Sequence, residues 1–100
     1  MGMNRDEATA ELVCRAKALR DRGAQAAFVY GSTARNEARD DSDIDIFIDI
    51  EPGRKFSLLD LVGMQRYLTE ELGVAVDLTT RSSLHPKLRA QIEREAFRVF

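Results

Sequence analysis

A strict alternation of side chains in the middle of the chain constrains its fold more than any other feature. Isoleucines occupy every second position from 43 to 50, and acidic or aromatic residues stand between them: Ile44, Ile46, Ile48 and Ile50 against Asp43, Asp45, Phe47 and Asp49. A period of two predicts a β-strand with one face on a core and the other face carrying charge.

Two aspartates on the charged face form a candidate metal site. Asp43 and Asp45 project to the same side of the strand, about 6.6 Å apart along the backbone. Aspartate is depleted in strands, and two like charges on one face repel each other unless a cation lies between them. Mg²⁺ prefers carboxylates combined with substrate phosphates and water. We therefore predict that both aspartates bind magnesium; the alternative is a solvated outer face.

A Gly-Ser pair precedes these aspartates at a fixed distance. Gly31 and Ser32 end a short apolar segment, and ten residues separate Ser32 from Asp43. A glycine lets the backbone approach a phosphate closely, and the serine hydroxyl can add a hydrogen bond. The spacing predicts a phosphate-binding turn beside the carboxylates, whereas a Gly-Ser pair alone would indicate only a turn.

Two neighbours of this turn are weaker candidates for nucleotide binding. Arg35 could contact the β- and γ-phosphates, although a surface ion pair with Glu37 or Asp41 is the alternative. Ser42, immediately before Asp43, could hydrogen-bond within the loop and orient it.

A third carboxylate would allow two metal ions to act on one displacement reaction. Asp77 is the best candidate, because residues 74–79 form an apolar segment that should become a third strand, beside those predicted at 26–30 and 43–50. Its alternative role is that of an edge-strand charge that opposes aggregation. Asp49 lies one pleat beyond Asp45, and we interpret it as solvated or as a neighbour of the metal site.

The rest of the chain predicts an α+β fold with two layers, in which helices pack on one face of a small mixed β-sheet. Helical spacing over 6–22 and a capping-box-like Ser57 with Asp60 predict two helices. A last helix should follow Pro86, with Leu88, Ile92 and Glu95 or Ala96 in the core. Residues 97–100 could be a short edge strand or a continuation of that helix. We expect residues 1–100 to form a single domain.

Composition excludes several classes of protein. The formal charge of −2 argues against a general nucleic-acid binder, which needs a surplus of Lys and Arg. No apolar segment approaches the roughly 20 residues of a membrane span, and the N-terminus lacks an apolar signal region. A lone cysteine, Cys14, allows neither an internal disulfide nor a cysteine-built zinc site. We expect a cytoplasmic protein without membrane or direct nucleic-acid partners.

Together these motifs resemble the minimal nucleotidyltransferases (MNT) of the DNA polymerase β-like superfamily, and most closely the antitoxins paired with HEPN-domain toxins. The family's Gly-Ser and Asp-x-Asp positions map onto Gly31, Ser32, Asp43 and Asp45, and its separate acid maps onto Asp77. Asn36 departs from the family, in which a glycine often follows the arginine.

The resemblance implies a nucleotidyltransferase-like fold and transfer of AMP from ATP to a hydroxyl, with two Mg²⁺ ions held by the three aspartates. It also implies that the acceptor is a tyrosine of a HEPN toxin, which the chain would silence as an antitoxin, in a hetero-oligomer. The chain's length supports a protein acceptor, because 100 residues leave no room for an additional acceptor domain. The alternatives are a non-catalytic antitoxin that acts by binding, or a small-molecule nucleotidyltransferase subunit that needs a helical partner.

Overall fold

Four strands form one mixed sheet in the computed structural model, which describes residues 3–37 and 43–100. The strands are β1 (Ala24–Tyr30), β2 (Ile44–Ile50), β3 (Val76–Thr80) and β4 (Phe97–Arg98). The helices are α1 (Arg5–Cys14), α2 (Ala16–Asp21), α3 (Gly31–Ala34), α4 (Leu58–Leu72) and α5 (Arg89–Glu95), with a 3-10 turn at Arg81–Ser83.

The sheet has the strand order β3-β2-β1-β4. Strand β1 is antiparallel to both β2 and β4, whereas β2 and β3 run parallel. A parallel pair needs a crossover connection, and α4 supplies it. This arrangement confirms the predicted α+β fold with a small mixed sheet, and β4 confirms that the last residues include a short edge strand.

The isoleucine face of β2 carries the core, as the alternation predicts. Ile44, Ile46 and Ile48 are at most 1% exposed. They belong to one cluster with side chains from α1, α2 and α4, among them Leu12, Leu19, Met64 and Leu68. Full burial of each such side chain stabilises the fold by about 1.5–3 kcal/mol. The opposite face of the sheet is thereby left for the polar residues.

Helix α4 begins at the capping box that the sequence predicts. The Ser57 side chain accepts a hydrogen bond from the Asp60 N–H, and Asp60 accepts one from the Ser57 N–H, which completes a capping box. Gly73 ends the helix in the left-handed conformation, at φ 70°. Within the helix, the Gln65 side-chain oxygen accepts a hydrogen bond from the Leu78 N–H of β3 at 2.9 Å.

The helix predicted over 6–22 is broken into α1 and α2 at Arg15. The Arg15 N–H bonds to the Leu12 carbonyl, three residues back, at 3.1 Å. Its guanidinium also donates hydrogen bonds to the Glu11 carbonyl oxygen and to the Glu11 carboxylate. These local bonds interrupt the regular helical ladder, a competition that hydrophobic spacing cannot show.

The prediction that α5 packs an apolar stripe into the core is wrong. No residue of α5 is buried, and Leu88 just before it is 50% exposed. The helix is instead linked to the rest of the chain by ion pairs, of Glu93 with Arg81 and of Glu95 with Arg35. Within the described part of the chain, no helix is both long and apolar enough to cross a membrane.

Candidate nucleotide-binding and catalytic site

Three carboxylates lie at one end of the polar sheet face, and we call them the acidic group: Asp43, Asp45 and Asp77. Asp45 of β2 is in direct register with Asp77 of β3. Because in-register neighbours of a parallel pair project to the same face, these two side chains stand next to each other. Asp43 precedes Asp45 by two residues, and both Asp43 and Asp77 are exposed. The structure therefore brings Asp77 to Asp45, a pairing between distant segments that the sequence only suggests.

The surroundings of Asp45 disfavour its negative charge. Partial burial, followed by the charges of Asp77 and Asp43, raises the pKa of Asp45 to about 6, and the Arg35 charge offsets only part of this shift. A carboxylate held in such surroundings would be stabilised by a cation. A carboxylate with such a raised pKa is a candidate for binding a positively charged ligand.

The Gly-Ser turn lies directly against the acidic group. Gly31 has φ 67°, in the left-handed region that favours glycine. A Cβ at this position would lie 2.5 Å from Oδ2 of Asp45, so a side chain there would force that carboxylate to move. Ser32 follows at the start of α3, half-buried. The predicted phosphate-binding turn and the predicted metal ligand are thus in contact.

The donor set fits a magnesium ion that is completed by substrate. Carboxylate oxygens are the ligands that Mg²⁺ prefers, and it usually takes one or two of them together with phosphates and water. Among residues 3–37 and 43–100, no three His, Cys, Asp or Glu side chains converge closely enough to hold a metal alone. A site of two adjacent carboxylates plus phosphate oxygens is compatible with that finding, and the role of all three aspartates as ligands stays a prediction.

Arg35 forms the surface ion pair with Glu37 that is the alternative to phosphate binding, and it forms a second ion pair with Glu95. Its guanidinium contacts Glu37 at 3.1 Å and Glu95 of α5 at 3.2 Å. These partners raise the pKa of Arg35, the Glu37 hydrogen bond most strongly. Its role in phosphate binding stays a prediction, and Ser42 lies outside the described residues.

Asp49 lies at the other end of the same face, and its surroundings differ completely. Arg81 contacts both of its carboxylate oxygens, at 2.7 and 3.0 Å, and also bonds to Glu93. The Arg81 guanidinium lies 4.8 Å from the Phe28 ring and 5.0 Å from the Phe47 ring. We call these five residues the arginine cluster. Arg81 holds Asp49, so the solvated alternative is wrong, whereas the alternative of a neighbour of the metal site stays a prediction. Arg81 was not among the predicted site residues.

Tyr30 is a further residue of this face that sequence reasoning missed. It is the last residue of β1 and lies directly opposite Asp45 in the antiparallel pair. Burial, then the Asp45 and Asp77 charges, raise its pKa to about 12. Its position immediately before Gly31 is the one sequence signal that could have identified it.

A mixed sheet that sets a glycine turn against paired carboxylates defines a class of nucleotide-transferring proteins. The family model described as Nucleotidyltransferase domain matches residues 15–99. Protein adenylyltransferase MntA of Thermococcus cleftensis is 38% identical over 91 residues, which cover 90% of each protein. The chain belongs to the nucleotidyltransferase-domain family, and with relatives of this kind it is an enzyme of the minimal nucleotidyltransferase type.

Solved structures agree with this assignment. A structure provisionally identified as a minimal nucleotidyltransferase has a TM-score of 0.80 and 38% identity, covering 95% of both chains. A chain from the complex of tri-AMPylated Shewanella oneidensis HEPN toxin with MNT antitoxin has a TM-score of 0.67 and 20% identity, over 91% of this chain and 70% of that one. The second likeness shows the fold alone.

Proposed function

We propose that this protein transfers AMP from ATP to a hydroxyl group, most suitably a tyrosine, of a partner HEPN toxin and thereby acts as its antitoxin. The observation that carries the proposal is the contact between the Gly31 turn and Asp45, with Asp77 in register beside it. This arrangement offers a place for a triphosphate and for cations at the same point. The full chain, residues 1–100, would act as one catalytic domain.

The reaction assigns a separate task to each part of the site. Gly31 and Ser32 bind the triphosphate, and Arg35 neutralises part of its charge once it leaves its glutamate partners. Asp43, Asp45 and Asp77 would hold Mg²⁺, most suitably two ions, which when bound supply the positive charge that stabilises the transferred phosphoryl group. Asp77, exposed at the outer strand, is the carboxylate best placed to face an acceptor hydroxyl.

The transfer itself balances without a further reactant. The acceptor oxygen forms a bond to the α-phosphorus of ATP, while the bond between that phosphorus and the bridging oxygen to the β-phosphate breaks. Pyrophosphate leaves with the bonding electron pair. The acceptor proton passes to Asp77 or to water.

The protein partner is supported by the 38% identical relative, whose name states that it adenylylates protein. The fold neighbour from the complex of AMPylated HEPN toxin with MNT antitoxin gives the toxin as the kind of acceptor to test. ATP and magnesium are both cytoplasmic reagents, and we place the protein in that compartment.

The test uses a HEPN-domain protein encoded beside this chain's gene. We expect incubation with the chain, ATP and Mg²⁺ to add one or more AMP groups to a tyrosine of that protein, detected by intact-mass and peptide mass spectrometry. Asp45→Asn is the matched control, because it keeps the side chain's size and removes its charge. It should abolish the mass increase.

The same experiment separates catalysis from occlusion. If the toxin ribonuclease is inhibited equally by wild type and by folded Asp45→Asn, and no AMP is added, the protein acts by binding instead. AMP transfer to a small-molecule hydroxyl, with the toxin left unmodified, would point to the third alternative.

A further inference from the structure

Tyr30 shares a row with the carboxylates across three adjacent strands. The pairing of Tyr30 with Asp45, and of Asp45 with Asp77, places all three side chains side by side on the polar face. Tyr30 is also bonded directly to Gly31, the first residue of the phosphate-binding turn. Its side chain therefore stands where the turn and the acidic group meet.

The Tyr30 ring has a fixed support. Its centroid lies 5.7 Å from that of Phe47, which is fully buried in the arginine cluster, and the two rings are tilted by 46°. Tilted aromatic pairs at such distances are favourable contacts. A phenol is longer than an aspartate side chain, so the Tyr30 hydroxyl can reach farther from its strand than the carboxylate oxygens of its neighbours.

Beyond the Gly31–Ser32 turn, the site has few hydrogen-bond donors to offer a bound triphosphate. A triphosphate and three carboxylates are all hydrogen-bond acceptors, and the nearby Arg35 is engaged by Glu37 and Glu95. A tyrosine hydroxyl with an ordinary pKa near 10 is neutral at physiological pH and can donate one hydrogen bond without adding negative charge.

We infer that the Tyr30 hydroxyl donates a hydrogen bond to the phosphates of bound nucleotide and is part of the triphosphate site. The inference rests on the proposed function in taking a nucleoside triphosphate as the substrate. It assigns the Tyr30 hydroxyl to substrate binding, whereas packing against Phe47 would need the ring alone.

The test removes one oxygen atom. Tyr30→Phe keeps the ring against Phe47 and deletes the hydroxyl. The matched control is Tyr67→Phe, since Tyr67 is the chain's other tyrosine and lies on α4, where Arg22 stacks on its ring at 4.7 Å. Binding of a non-hydrolysable ATP analogue and of inorganic tripolyphosphate, both with Mg²⁺, is measured by calorimetry without any protein acceptor.

We expect Tyr30→Phe to weaken binding of both ligands by about tenfold to 100-fold, the loss of one hydrogen bond to a charged group. Its melting temperature should remain that of wild type, and Tyr67→Phe should bind both ligands normally. Weakening with the ATP analogue alone would assign the hydroxyl to the nucleoside and overturn the inference.

Two other results would also overturn it. Normal binding of both ligands by Tyr30→Phe would leave the ring as mere packing. A lower transfer rate with unchanged binding would move the hydroxyl to the acceptor side. Since no acceptor is present in the binding measurement, a failure to modify the toxin would count against the proposed function and leave this result intact.

Discussion

Asp45 and Asp49 are four residues apart on one face of β2, yet the fold treats them in opposite ways. Both oxygens of Asp49 are held by Arg81 at 2.7 and 3.0 Å. Asp45 has no ion pair with any residue of 3–37 or 43–100, and its pKa is raised to about 6 by burial and by its two acidic neighbours. One carboxylate is neutralised within the protein, and the other has no such partner in the described part of the chain, which is what the proposed cation site requires.

Under the proposed function, this difference separates charge that stabilises the fold from charge that serves binding and catalysis. A network that satisfies every oxygen stabilises the fold and leaves nothing for a ligand to use. An uncompensated group costs stability and persists where binding or catalysis requires it. The acidic group and the arginine cluster therefore make contrasting predictions, in which substitution at the first harms activity and substitution at the second harms stability.

Substitution of Asp45 tests this contrast most strongly. We expect Asp45→Asn to lower the rate of AMP transfer by about 1,000-fold, roughly 4 kcal/mol in the barrier, because the charge that positions the reactants is lost. Its thermal stability should equal or exceed that of wild type. Initial transfer rates and melting temperatures measured on the same preparation check both expectations; a rate within tenfold of wild type would contradict the assignment.

Asp77 tests whether the outer strand contributes chemistry or only charge. We expect Asp77→Ala to bind ATP within about tenfold of wild type and to transfer AMP at least about 100-fold more slowly, a loss of roughly 2.7 kcal/mol. Single-turnover kinetics with a protein acceptor separate the two effects. Near-normal transfer would exclude Asp77 from the site.

Arg81 tests the opposite side of the contrast. Arg81→Ala leaves Asp49 and Glu93 without their common partner and uncovers two phenylalanine rings, so we expect a loss of about 2 kcal/mol in unfolding free energy. ATP affinity should change by less than about threefold. Chemical denaturation and calorimetry measure the two quantities, and a large loss of ATP binding at unchanged stability would show that the cluster belongs to the nucleotide site.

The raised pKa of Asp45 predicts a pH effect on stability. Because the folded-state pKa of about 6 exceeds the ordinary value of 3.8, protonation favours the folded state. Metal-free wild type should therefore lose about 1 kcal/mol of stability as the pH rises from 4 to 7, after allowance for solvent screening of this half-exposed group. The difference between wild type and Asp45→Asn across this pH range isolates the effect, and parallel curves would disprove it.

The smallest effect concerns Arg35, whose charge acts on Asp45 and whose guanidinium pairs with Glu95 of α5. We expect Glu95→Gln to tighten ATP binding by about threefold, because the triphosphate then has one fewer competitor for the guanidinium. The same substitution in an Arg35→Ala background should change nothing. Calorimetry on the four proteins completes this double-mutant cycle, and an equal effect of Glu95→Gln in both backgrounds would exclude competition for Arg35 as its cause.

Local patterns in the sequence predicted those elements whose physics is local. The isoleucine alternation of β2 and the Ser57 capping box each depend on neighbouring residues, and both are present. The prediction of one continuous helix from 6 to 22 is wrong at Arg15, because the Arg15 guanidinium competes for the Glu11 carbonyl. Hydrophobic periodicity does not reveal such a competition.

Features of the site that join distant segments could not be predicted from the sequence. The register of Asp45 with Asp77 joins segments about thirty residues apart, and the sequence could propose their proximity but not their alignment. The attachment of α5 depends on ion pairs to Arg35 and Arg81, from two distant parts of the chain, so its apolar residues were wrongly assigned to the core. For the same reason, Asp49 and Asp45 could not be distinguished by sequence pattern alone.

The hydrogen bond from Leu78 to Gln65 bears on how the sheet is protected against aggregation. Strand β3 is the outermost strand on its side of the sheet, and an unprotected margin of this kind invites a strand of another molecule to join. The side-chain oxygen of Gln65, on α4, accepts a hydrogen bond from the Leu78 N–H, so this backbone donor of β3 is not free to pair with another strand. Intermolecular sheet growth is thereby discouraged one residue from Asp77, whose exposed carboxylate has to stay accessible if it acts as proposed.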